Sequence, residues 1–119
     1  MSTTAVVTNY VAFTGDLNQE YILPTGELAD SPAMTSVIAL ASGANTITPP
    51  DVDGFTLHGL VIVPPDGNIV ELTLKGVSGD TGIALSSSRV TILSFGATPP
   101  ATLVLTAGSA VDGFRLIWF

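Results

Sequence analysis

Leu60-Val61-Ile62-Val63-Pro64-Pro65-Asp66-Gly67-Asn68-Ile69-Val70-Glu71-Leu72-Thr73-Leu74-Lys75 is the stretch that decides the fold class. Its first four residues are apolar on both faces, the pattern of a strand buried from both sides. Proline then presets φ and Gly67 supplies a positive one, which predicts a hairpin loop at 64–68. Alternation with period two resumes beyond it. Val70, Leu72 and Leu74 point one way and Glu71, Thr73 and Lys75 the other, as in a half-exposed strand.

The rest of the chain repeats this grammar. Strands are expected at 6–13, 35–41, 45–48, 55–63, 69–75, 83–85, 90–95, 102–106 and 114–119. In the second of these, Val37 and Ala39 share one face and Ile38 and Leu40 the other. Pro49-Pro50 stops the third. No window of about 12 residues holds a 3.6-residue period without a breaker. The best helical candidate, 27–34, is interrupted by Pro32 and reads as a loop. Three glycines make 76–82 the main loop. The pattern predicts an all-β chain with one domain over 1–119: a jelly-roll-like β-sandwich of about eight short antiparallel strands, with residues 1–4 as a flexible arm.

One run occurs twice, as Val52-Asp53-Gly54-Phe55-Thr56-Leu57 and as Val111-Asp112-Gly113-Phe114-Arg115-Leu116. Each copy leads into an apolar run, Leu60 to Val63 and Ile117 to Phe119. The expectation is a tight turn that delivers an aromatic residue into a buried strand in each half of the molecule. Asp-Gly is a favoured turn pair, so its use twice does not require a duplication. The apolar ending at Trp118-Phe119 is expected in the core or at a subunit seam.

A chain of 119 residues is long enough for one unstapled core. Charged residues are only 11%, less than half the usual quarter, and mean hydropathy is +0.56. Such a composition implies a surface of neutral Ser and Thr, or one largely covered by other subunits. Net charge is −7, with Lys75, Arg89 and Arg115 the only Lys and Arg. Phosphate backbones and anionic membranes need clustered cations, so neither is expected as a partner. The absence of cysteine removes disulfides, thiolate catalysis and Cys-based zinc sites. No stretch has signal-peptide or membrane-span length.

Catalytic signals are weak. His58 is the only histidine and stands between Leu57 and Gly59 in an apolar run, the setting of a packed or interface histidine. Gly76-Val77-Ser78-Gly79-Asp80 has Asp80 where a nucleophile elbow needs glycine. Lys75 precedes these glycines where a Walker A lysine would follow them. Asp51-Val52-Asp53-Gly54 opens like a calcium loop and then runs into Phe55 and Leu57 without further oxygen ligands. Paired carboxylates at Asp51 and Asp53, or at Asp66 and Glu71, do not by themselves define a glycosidase cleft. Tyr10, Tyr21 and Trp118 are the candidate exposed aromatic platforms. No catalytic residue, cofactor or metal is expected.

Three stretches and the ending in Leu116-Ile117-Trp118-Phe119 carry a resemblance. The stretches are the Ser/Thr/Gly/Pro-rich strands, Gly59 to Gly67, and Leu74 to Ile83. Together they resemble the small β-sandwich structural proteins of tailed bacteriophage virions, such as capsid decoration (cement) proteins. The resemblance implies a non-enzymatic virion protein, made in the host cytoplasm, that bridges capsomers. It implies two partners, further copies of itself in a homotrimer or other symmetric oligomer, and the major capsid protein. The interface residues expected on this reading are Ser2, Thr3, Thr4, Gly76, Ser78, Asp80, Trp118 and Phe119. The alternatives are a tail or fibre component and a receptor- or glycan-binding module.

Overall fold

The computed structural model describes residues 3–8, 10–15, 19–22, 27–51 and 53–119, which form twelve strands and no helix. No helix among them is therefore long and apolar enough to cross a membrane. Four short strands come first: β1 (Ala5–Val6), β2 (Tyr10–Phe13), β3 (Gln19–Ile22) and β4 (Glu27–Leu28). β1 pairs with β4 and β2 with β3. The strand expected at 6–13 thus divides between two partners.

Eight strands follow: β5 (Met34–Leu40), β6 (Gly43–Ile47), β7 (Gly59–Val63), β8 (Leu72–Lys75), β9 (Ile83–Leu85), β10 (Thr91–Ser94), β11 (Leu103–Ala107) and β12 (Val111–Trp118). They form two four-stranded sheets, β10-β7-β12-β5 and β6-β11-β8-β9, with every pairing antiparallel. Counted one to eight from β5, the first sheet reads sixth, third, eighth, first. The second reads second, seventh, fourth, fifth. Consecutive strands change sheets at every step except β8 to β9. That interleaving of two Greek keys is the jelly roll.

The topology corrects one reading. The connection at 64–71 joins β7 of the first sheet to β8 of the second, so it is not a hairpin. The turn chemistry is as expected, with Asn68 N–H donating to the Pro65 carbonyl at 3.1 Å. Turn chemistry reverses the chain, but it does not choose which sheet the next strand joins. The one hairpin within the eight strands spans 76–82.

Both sheets supply one core. Leu40, Leu60, Ile62, Phe114, Leu116 and Trp118 come from the first sheet, and Leu72, Leu103, Leu105 and Ala107 from the second. Each is an alternate position of its strand, as a sandwich with one wet face per sheet requires. Each large side chain buried here stabilises the fold by roughly 1.5–3 kcal/mol.

The two copies of the repeated run differ. In the second, the strand begins at Val111, and its register against β5 shifts between Val111 and Phe114. Asp112-Gly113 is therefore a bulge inside β12 and not a turn before it. In the first, Asp53-Gly54 is a turn, and no strand begins until Gly59. The backbone before Gly59 makes single bonds to separate segments. Thr56 N–H donates to the Asp30 carbonyl (2.8 Å), and His58 N–H to the Phe119 main-chain oxygen (2.7 Å). Phe55 is 40% exposed, while Phe114 is 0% exposed. Delivery of the aromatic into the core holds for the second copy alone.

Candidate functional site

Strand polarity sends the connections at 48–58, 76–82 and 95–102, together with the segment entering β5, to one end of the sandwich. Proline dictates the form of that end. Pro49-Pro50 ends β6 and Pro99-Pro100 precedes β11, and a ring that fixes φ and lacks an N–H cannot extend a ladder. The chain leaves both strands as stiff walls. Between them lies a cleft of about 530 Å³, lined by Pro32, Pro49, Pro50, Pro99 and Pro100, with Thr48, Asp51, Phe55, Thr56, Leu57, Ala97 and Ala101.

The floor of this end is fastened. His58 Nε2 lies 2.8 Å from the Ala29 carbonyl, and the His58 carbonyl accepts from Phe95 N–H at 2.7 Å. Gly59 and Phe119 exchange two main-chain bonds, of 3.0 and 3.1 Å. A side chain on Gly59 would overlap the Leu93 carbonyl and the Phe119 ring, so only glycine admits this contact. His58 is thus a structural tie between two segments.

Chemically, the cleft offers flat CH-rich proline rings, the exposed ring of Phe55, one carboxylate on Asp51 and two threonine hydroxyls. No Lys or Arg lines it. His58 is not among the lining residues. The wall suits stacking with a neutral or cationic, apolar or ring-bearing ligand. Among the described residues no three of His, Asp and Glu converge as a metal-ligating group.

A second feature lies on the outer face of the first sheet. The outward positions there are Thr35, Val37 and Ala39 on β5, Arg115 and Ile117 on β12, Val61 and Val63 on β7, and Ile92 and Ser94 on β10. Residues 3–8 lie against one end of this face. They enclose a further cleft of about 410 Å³ with Val61, Ile117, Ser31 and Ala33. Ser31 N–H donates to the Thr3 carbonyl at 2.8 Å, anchoring that segment.

The sequence-predicted interface residues divide into three groups. Thr3 and Thr4 are exposed on the N-terminal segment, beside the first sheet. Gly76, Ser78 and Asp80 are exposed on the 76–82 hairpin of the second sheet. There the Asp80 carboxylate accepts from Val77 N–H (3.1 Å), and Lys75 Nζ donates to the Ser78 carbonyl (3.4 Å). Ser2 lies outside the described residues. Trp118 and Phe119 are 4% and 7% exposed, packed mostly within the chain's own fold, and they line the cleft beside the N-terminal segment. Central β12 is covered by a strand on each side, and Trp118 is one of its inward positions. Trp118 is therefore no platform either, and of Tyr10 and Tyr21 only the backbone is described.

No protein family, curated protein or solved structure gives a match to this chain. The arguments for function rest on the molecule's own geometry. The cleft residues escaped the sequence reading because its walls come from segments 69 residues apart at their extremes, Pro32 and Ala101. The two Pro-Pro pairs were the available signal.

Proposed function

We propose that this chain is a non-enzymatic structural protein of a phage virion, a capsid decoration protein that bridges capsomers as a symmetric homo-oligomer. The observation that carries the reading is the outer face of the jelly roll's first sheet. Val37 and Ile92 are exposed there beside Val61, Val63 and Ile117, with Val6 of the N-terminal segment exposed next to them. A largely aliphatic face, crossed by Arg115 between Val63 and Val37, on a chain with so few charges suits a surface that meets other protein. A bridging protein works through buried area, and the low charge content follows from that role. The N-terminal segment, held by two register pairs with β4 and one further bond, suits an arm that reaches a neighbour.

The test is co-sedimentation with purified phage capsids that lack decoration, at micromolar protein. Saturable binding at a fixed ratio to the capsid lattice, with raised capsid resistance to heat, is the expected result. A folded protein that stays in the supernatant at all concentrations overturns the reading.

The proline-walled cleft with exposed Phe55 favours a second reading, a receptor- or glycan-binding module of a tail or fibre. A glycan array separates the two. A decoration protein binds none of the sugars, whereas the module binds a defined set and loses them when Phe55 is replaced by Ala.

A further inference from the structure

A sheet edge is a row of unpaired N–H and C=O groups, and proteins that stay single guard it with short strands, charges, prolines or bulges. The four edges of this sandwich are not guarded alike. β9 has three residues and β10 has four. β6 has five, and it is flanked by Pro49-Pro50 and locked by Asn45. The Asn45 amide donates to the carbonyls of Ala41, Gly43 and Leu105, and its oxygen accepts from Ala41 N–H. β5, the outer strand of the first sheet, has seven residues, Met34–Leu40. It holds no charge, no proline and no glycine, and the irregularity in its pairing lies on β12 at 112–113, away from the free edge. Among the described residues no strand pairs with that outer edge. Met34 is 44% and Val37 62% exposed.

We infer that the β5 edge is a self-association site, where β5 of a second copy adds antiparallel about a two-fold axis at Val37. Val37 is the midpoint of Met34–Leu40, so the axis overlaps all seven residues. It sets Val37 opposite Val37, Ser36 opposite Ile38, Thr35 opposite Ala39 and Met34 opposite Leu40. The pairing is isologous, the commonest closed symmetry, and joins two four-stranded sheets into one of eight. Charge permits this contact. The chain carries −7, yet no ionisable side chain stands between Asp30 and Asp51. Two copies meeting along β5 therefore set no carboxylate against another. The one pair that is β-branched on both sides, Val37–Val37, adds its own stabilisation.

The inference is independent of the capsid reading, since it concerns mass in solution without capsids. It also differs from the trimer that the resemblance implies. Sedimentation equilibrium of the full chain reads it directly: a two-fold pair has about 24 kDa, twice the 12.2 kDa chain, and a trimer about 37 kDa, three times it. The expected mass at tens of micromolar is that of the pair. Val37→Glu places like charges opposite each other across the axis, while inside the chain it lies beside Arg115, its register partner on β12. V37E is expected to stay folded by circular dichroism and to dissociate at concentrations at least tenfold higher than the parent. V37K dissociates likewise, and an equimolar mixture of V37E and V37K regains the mass of the pair.

Should V37K not fold, a second pair of variants keeps the test intact. T35E/A39E is expected to dissociate, and T35E/A39K, with opposite charges facing across the axis, to remain paired. A parent that is monomeric or trimeric at 100 µM overturns the inference. So does a V37E protein that sediments as the parent does, or a mixture of opposite charges that fails to pair.

Discussion

Val52-Asp53-Gly54-Phe55 and Val111-Asp112-Gly113-Phe114 are the same four residues, and their glycines adopt nearly the same φ, +83° and +86°. Their phenylalanines end in opposite places. Phe114 is fully buried, in register with Ile38 of β5 and in one core with Leu60, Ile62 and Leu116. Phe55 stands 40% exposed on the wall of the proline cleft. The local backbone is a property of Asp-Gly. The fate of the aromatic belongs to what flanks it: the second copy lies inside a strand with a neighbour on each side, the first in a connection held by isolated bonds. One sequence motif thus serves the core once and the surface once.

The largest expected effect tests the buried side of the pair. Phe114→Ala leaves a cavity at the centre of both sheets and is expected to lower unfolding free energy by about 3–5 kcal/mol. Urea denaturation followed by tryptophan fluorescence measures it, since Trp118 shares that core. A loss under about 1 kcal/mol would mean that the core does not depend on this copy.

Next comes Gly59, where the strand after the first copy meets Phe119, just past the strand that holds the second. A methyl group there overlaps the Leu93 carbonyl and the Phe119 ring. Overpacking of this kind costs about 1–3 kcal/mol, and because one obstacle is backbone, Gly59→Ala is expected near the top of that range. The denaturation midpoint reads it, and a neutral result would show that β7 and the Phe119 segment slide apart freely.

The glycines of the two copies sharpen the comparison further. At Gly113 an added Cβ meets only Pro65 Cβ at an ordinary 3.5 Å, and at Gly54 it meets nothing within 4 Å. Sterics within each site are thus mild, and the penalty is the positive φ itself, about 1–2 kcal/mol. Gly113→Ala is expected to cost that full amount, because β5 pairs on either side of the bulge and Pro65 abuts it. Gly54→Ala is expected to cost less than half as much, because an exposed turn can relax. Equal losses in paired denaturation curves would erase the proposed difference in how the two copies are held.

The same contrast shows how much of the molecule was legible in the chain. Alternation at Val70, Leu72 and Leu74 and the flanking turn residues fixed the all-β class, because both are local. The faces of β5 were readable for the same reason: Ile38 and Leu40 turn inward while Val37 and Ala39 stay outside. The link after Val63 was misread as a hairpin because the same turn serves a step between sheets. Phe55 and Phe114 were indistinguishable because burial depends on partners far along the chain. The cleft was hidden for that reason too, since its prolines stand at 32, 49–50 and 99–100 and only the fold brings them together.

The smallest effect on stability falls on the exposed copy. Phe55→Ala removes a ring that is substantially solvated, and surface changes of this kind stay within about 0.5 kcal/mol. Its consequence is instead on the cleft, where Phe55 is the only aromatic among the lining residues. If the cleft stacks a ring-bearing ligand, each lost aromatic contact weakens binding by about 0.5–1.5 kcal/mol beyond the area removed, roughly two- to tenfold in affinity. Titration calorimetry of parent and F55A against whichever ligand an array identifies, beside denaturation curves that superpose, would separate the two fates of the motif: stability for Phe114, recognition for Phe55. A variant that unfolds as readily as F114A would instead make Phe55 a second core residue, and the contrast between the copies would collapse into one of degree.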